Sequence, residues 1–133
     1  MKITRIIVEQ AIDEKGQLEE FTSDIYPLVD SGDVLHLEDN GLPKSGTLIA
    51  DGMVIVGKTG RGAAFDPGVM PTAIEWQGLE REELATRYAN YWTNTSRYAT
   101  KETEGTVVRA YFETKGGKLC AIVEMNLNRT SQP

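Results

Sequence analysis

The sequence predicts a mainly β fold: a β-rich α+β domain of short twisted strands, closed by a C-terminal hairpin and accompanied by one amphipathic helix. Three observations lead there. β-Branched and aromatic residues gather in short runs instead of recurring at helical spacing. Glycine-centred turns separate those runs. Only Leu79 to Trp92 carries a helical stripe, with Leu84, Tyr88, Tyr91 and Trp92 at i, i+4, i+7 and i+8. The chain of 133 residues is enough for one domain with a real core, spanning 1–133, and too short for two ordinary ones.

In chain order, Ile3 to Ile12 is rich in isoleucine and valine and reads as a strand, ended by the turn Asp13-Glu14-Lys15-Gly16. Glu20 to Tyr26 reads as a second, partly exposed strand stopped by Pro27. Val34 to Leu37 is a short apolar stretch between polar turns. Thr47 to Ile49 and Met53 to Val56 flank the turn Ala50-Asp51-Gly52 as short strands. The expected helix follows a glycine-rich loop, and Glu80, Glu82 and Glu83 crowd its first turns, where the helix dipole favours negative charge. Gly105 to Thr114 and Leu119 to Leu127 then form a hairpin around Lys115-Gly116-Gly117-Lys118, and Arg129 to Pro133 is expected to fray.

Charge and composition exclude several functions. A formal net charge of −6 argues against autonomous binding to nucleic acid, though a local basic strip held in place by a larger partner remains compatible with it. The single cysteine, Cys120, permits no intramolecular disulfide and no multi-cysteine zinc site, and its neighbours suggest a half-buried strand thiol. No apolar run reaches membrane-spanning length and no signal-peptide core opens the chain, so a cytoplasmic protein without membrane contact is expected. His36 is the only histidine and sits in an apolar context, where a packed or hydrogen-bonded residue is the ordinary outcome. Glu19-Glu20 and Glu82-Glu83 read as solvated surface charge, and no aspartates cluster as a metal loop. No catalytic residue, metal ligand or cofactor is therefore assigned. Arg87 and Arg97 flank the aromatics Tyr88, Tyr91, Trp92 and Tyr98, a pattern able to stack on bases or simply to pack a core.

Gly52-Met-Val-Ile-Val-Gly-Lys-Thr59 satisfies the phosphate-loop formula G-x-x-x-x-G-K-[ST]. Chemistry argues against it. Met53, Val54, Ile55 and Val56 favour an extended strand over an anion-binding nest, and Gly60 to Gly68 is too rich in glycine and proline to open the required helix. The stretch is predicted to be a buried strand.

Three segments, in order, resemble the flap, or wall, region of the β subunit of bacterial-type multisubunit DNA-directed RNA polymerase. "DEKGQLEEFTSDIYP" is similar to the family's D-T-K-L-G-P-E-E-I-T-A-D-I-P through Asp13, Lys15, Glu19, Glu20, Thr22, Asp24 and Ile25. "DNGLPKSGTLIADGMVIVGKTGRG" resembles its E-S-G-I-V-x-I-G-x-x-V-x-x-G-D-I-L-V-G-K-V-T-P-K-G run through Gly41, Gly46, Gly52, Val56, Gly57 and Lys58, with Arg61-Gly62 standing for Lys-Gly. The third segment resembles a P-E-E-K-L-L-R helix, a D-T-S-L-R segment and an E-G-T-V-V strand through Glu82, Glu83, Arg87, Thr95, Ser96, Arg97, Gly105, Thr106, Val107 and Val108. Met53 and Gly60 depart from the pattern, "ANYWTNTS" lacks the family's lysines, and Lys115 to Lys118 closes a gap where the family inserts its flap tip.

The resemblance implies a flap-like, non-catalytic domain that helps to shape the RNA exit channel. It would contact β- and β′-like RNA polymerase subunits and reach nucleic acid only within that assembly. In the family, the tip helix docks sigma or elongation factors; the short turn here argues against that mode. Lys58, Arg61, Arg87 and Arg97 become candidates for phosphate contacts. Two alternatives stay open. The compact start and trimmed tip suit a free-standing, phage-encoded flap mimic that binds polymerase subunits or factors. The other is a nucleotide-binding protein using Gly57-Lys58-Thr59.

Overall fold

The computed structural model describes residues 2–25, 31–69, 80, 83, 86 and 89–128. Its strands are β1 (Ile3–Glu9), β2 (Glu20–Phe21), β3 (Leu48–Ile49), β4 (Val54–Val56), β5 (Lys58–Arg61), β6 (Trp92–Asn94), β7 (Arg97–Tyr98), β8 (Gly105–Lys115) and β9 (Lys118–Leu127). All pairings are antiparallel. They build a four-stranded sheet of order β1-β9-β8-β3, a three-stranded sheet β2-β5-β6, and the pair β4-β7. The mainly β expectation holds.

The C-terminal hairpin is the spine of the molecule. β8 and β9 run in register from Lys115↔Lys118 to Gly105↔Leu127, with one irregularity between Val107 and Arg109. Gly116 and Gly117 make the turn with φ of 61° and 80°. Two successive positive φ values match the right-handed twist of the flanking strands, and glycine adopts them without a Cβ penalty. β1 then adds along the other side of β9, from Ile3↔Asn126 to Glu9↔Cys120.

Period-two patterning decides what this sheet buries. Ile6 and Val8 of β1, Val107 of β8, and Ala121, Val123 and Met125 of β9 face inward and join Leu42, Ile49, Ile55, Val56 and Ala99 in one core. Val54, Ile55 and Val56 are all buried, which explains why β4 reads as an unbroken apolar run and not an alternation. A smaller cluster of Ile25, Leu37 and Val54 lies beside it.

Four expectations need correction. The second strand is only Glu20–Phe21, because the chain bends after Phe21, and Thr22 donates its amide to Gly57 O at 3.0 Å. Val34 closes a 3-10 turn over Ser31–Val34, and Leu37 makes only an isolated bridge to Pro43. Cys120 is fully buried, not half-buried, since β9 is a central strand. The expected helix does not reach Trp92. Glu83 and Thr86 are helical, but Asn90 has φ of 66°, a left-handed conformation that ends helices, and Trp92 opens β6 opposite Arg61. Leu79, Leu84, Arg87 and Tyr88 fall outside the described residues, as do Tyr26 and the tail from Arg129.

Candidate functional site

The Gly-Lys-Thr stretch lies entirely in extended backbone: β4 ends at Val56, and Lys58 opens β5. Its glycine serves a close crossing of chains. A Cβ on Gly57 would collide with the carbonyl oxygen of Thr22. Gly57 also accepts the Thr22 amide and donates its own amide to Gly41 O at 2.9 Å. The Gly57 amide and carbonyl are both spent on protein, as is the Lys58 amide, the reverse of a nest open to phosphate.

Lys58 is buried. Its ammonium donates to Glu19 Oε1 at 2.5 Å and to the Glu9 carbonyl at 3.2 Å, and the two side chains are 9% and 7% exposed. Glu19 also accepts the Ala11 amide at 2.8 Å. Burial pushes the Glu19 carboxyl up, but the Lys58 hydrogen bond, the Ala11 amide, the nearby Thr95 hydroxyl and the Lys58 charge outweigh it and hold the group below its usual value. The Thr95 hydroxyl falls short of hydrogen-bond geometry, and it is the one buried, unpartnered side-chain polar atom among the described residues.

Arg61, at the far end of β5, is half-buried. Its Nη1 lies 3.3 Å from Asp13 Oδ2, and its Nη2 lies 3.8 Å from Glu20 Oε1. The guanidinium stands over Phe65 at 5.4 Å and over Trp92 at 5.6 Å, while those two rings meet edge-on at 5.0 Å. Asp13 accepts the backbone amides of Arg61, Gln17 and Lys15. Burial would raise its pKa; these bonds and the Arg61 side chain overcome that and hold its carboxyl below the ordinary value.

The third segment closes the junction. Ser96 Oγ accepts the Lys58 amide at 2.9 Å and donates to the Lys58 carbonyl at 3.2 Å, and the Thr95 amide donates to the same carbonyl at 3.0 Å. Arg97 pairs through its backbone with Val56 in the β4-β7 ladder; its side chain is exposed and makes no hydrogen bond or ion pair among the described residues. Arg87 lies outside them.

The sequence-predicted site residues thus separate. Lys58 is neither a free phosphate ligand nor a solubilising charge, because Glu19 takes its ammonium inside the fold. Arg61 is tied to Asp13 and stands over the Phe65 and Trp92 rings. Glu19 was expected as solvated charge; its neighbour Glu20 is, at 55% side-chain exposure, but Glu19 turns inward. Asp13 and Glu19 went unassigned in sequence, and the available signal was their placement in a turn-flanked segment ahead of two buried strands. His36, as expected, is structural: its Nε2 hydrogen-bonds the Val54 carbonyl at 2.6 Å.

Beside the junction, an open groove of about 490 Å³ is lined by Phe21, Phe112 and Leu119 with Gln10, Glu20, Thr22 and Asn40. The Gln10 amide spans it internally, donating to Glu19 O and accepting the Leu119 amide. Among the described residues, no three His, Cys, Asp or Glu are gathered so as to hold a metal ion, and no helix is long and apolar enough to cross a membrane. No family model matches the chain.

Proposed function

We propose that this chain is a non-catalytic, flap-like scaffold domain of a DNA-directed RNA polymerase, working in the cytoplasm through contacts with β- and β′-like subunits. One observation supports the reading above others. Several residues of the three resembling segments meet in space and are spent on one another: Asp13 on Arg61, Glu19 on Lys58, Thr22 and Gly41 on Gly57, Thr95 and Ser96 on the Lys58 backbone. A pattern used for internal ties specifies a fold and not a reaction, as a wall or flap requires. Phosphate contact within the assembly then falls to exposed cations, of which Arg97 is the described candidate.

The experiment is co-purification of the tagged protein from its native source at moderate salt, with the bound chains identified by mass spectrometry. Large polymerase subunits in stoichiometric amount are expected, and Arg97→Glu should weaken any salt-sensitive part of the association. Recovery free of every transcription protein would contradict the reading. The tight Gly116-Gly117 turn favours a second one, a free-standing flap mimic. For that, a transcription factor without the large subunits would be captured.

A further inference from the structure

β8 outruns its neighbour on one side. It pairs with β9 along its length, but β3 covers only Gly105 and Thr106. The chain ahead of β3 adds two bonds at Val107, whose amide donates to Thr47 O and whose carbonyl accepts the Gly46 amide. Farther along, the alternation of an antiparallel ladder decides which backbone groups reach β9. Leu119, opposite Thr114, gives its carbonyl to the Gln10 amide and its own amide to Gln10 Oε1. It therefore faces β1, and Thr114 turns the other way. By the same alternation Phe112 and Ala110 turn their N–H and C=O groups to the open edge. Among the described residues none of these groups has a partner there. The side chains of Ala110 and Phe112 pack against the core. The Phe112 ring, 5.0 Å from that of Phe21, lines the groove of about 490 Å³. Phe112 thus belongs to both features, its backbone on the open edge and its ring in the groove.

We propose that the Ala110–Thr114 edge of β8 takes up an extended, basic segment of a partner protein as an added strand, with one apolar side chain of that segment at the groove. A row of unpaired backbone donors and acceptors on an extended strand is complementary to another extended backbone. A residue paired opposite Phe112 carries its side chain on the same face, about 5 Å away, beside the ring that lines the groove. Charge selects the segment. Asp24, Glu38 and Asp39 lie in the two turns that carry Thr22 and Asn40, which also line the groove, and the Ser23 amide joins those turns by donating to Asp39 O at 3.2 Å. All three carboxylates are exposed and enter no ion pair among the described residues. Lys115 and Lys118 stand beyond Thr114 at the turn, with Lys118 3.9 Å from Glu9. Lysine or arginine flanking the apolar residue complements the acidic rim. A second copy, at a net charge of −6, would bring like charge to it. The proposal does not depend on the polymerase reading.

Isothermal titration of the full chain with short synthetic peptides tests it. The probe carries a central phenylalanine between threonines, with two lysines at each end. It is expected to bind. Serine for the phenylalanine, glutamate for the lysines, or a methyl on the phenylalanine backbone nitrogen should each weaken binding roughly tenfold or more. On the protein, Thr114→Pro removes an edge donor that the β8-β9 ladder does not use, a position where proline is tolerated. It should weaken the probe similarly, as should Asp39→Lys, and circular dichroism should show both variants folded because both residues are exposed. The methylated peptide keeps the test decisive even if Thr114→Pro does not fold. No binding at millimolar probe overturns the proposal. So does binding that the backbone methyl leaves unchanged, or that the glutamate peptide matches. Self-association of the parent chain that Thr114→Pro abolishes would give the edge to a second copy and overturn it as well.

Discussion

Lys58 Nζ lies 2.5 Å from Glu19 Oε1, joining β5, the middle strand of the three-stranded sheet, to the residue just ahead of β2, with both side chains buried. Two charges out of water are favourable only as a pair. Removing one strands the other, and this pair belongs to the part of the chain that looks most like a ligand-binding motif.

Lys58→Met should therefore act as a stability mutation. It leaves the Glu19 carboxylate buried with only the Ala11 amide and the Thr95 hydroxyl near it. The expected loss in urea unfolding is near the lower end of the about 3–5 kcal/mol seen when a buried pair is broken, because the site lies just beneath the surface. Titration with ATP or GTP should show no binding by either the parent or the variant.

Acid should loosen the same junction. Glu19 and Asp13 are held below their usual values of 4.5 and 3.8, so each binds protons more weakly folded than unfolded. Their contribution is complete above those usual values and is lost as pH falls through the folded ones. Urea midpoints taken from about pH 7 to about pH 3 should decline on the acid side, and Asp13→Asn should flatten part of that decline.

Gly57→Ala tests the close crossing. The added methyl would strike the Thr22 carbonyl, a backbone atom that cannot swing aside. Destabilisation of about 2 kcal/mol or more is expected from such overpacking, whereas Gly16→Ala, in an open turn with φ of 76°, should cost less, about 1 kcal/mol.

Arg61→Lys separates charge from shape. Lysine keeps the attraction to Asp13 but loses the planar fork and the stacking on Phe65 and Trp92. A loss of about 1 kcal/mol in thermal or urea unfolding is expected, with a change in Trp92 fluorescence as its neighbour changes.

Much of the fold was legible because it is written locally. The Gly116-Gly117 turn, the isoleucine- and valine-rich strand β1 and the buried run in β4 each follow from short-range rules, and each is observed. What was not legible depends on contacts between distant segments. Nothing near Glu19 in sequence announces Lys58, 39 positions away, so it reads as surface charge. The helix boundary was missed because Tyr91 and Trp92 continue a helical stripe by spacing alone, while Asn90 turns the chain and Arg61 claims Trp92 as a strand partner. The site was legible only as a pattern: the quoted motifs contain Asp13, Glu19, Lys58 and Arg61, and which of these bond to which required the fold.

The central claim, that these motif residues are internal ties, is tested most directly by a double-mutant cycle on Glu19 and Lys58. Glu19→Gln, Lys58→Met and the double variant would be unfolded in urea beside the parent. The account predicts a favourable coupling of about 2 kcal/mol or more, with the double variant more stable than the two single losses summed would allow. Additive losses, with coupling near zero, would mean that Lys58 and Glu19 do not rely on each other, and would contradict it.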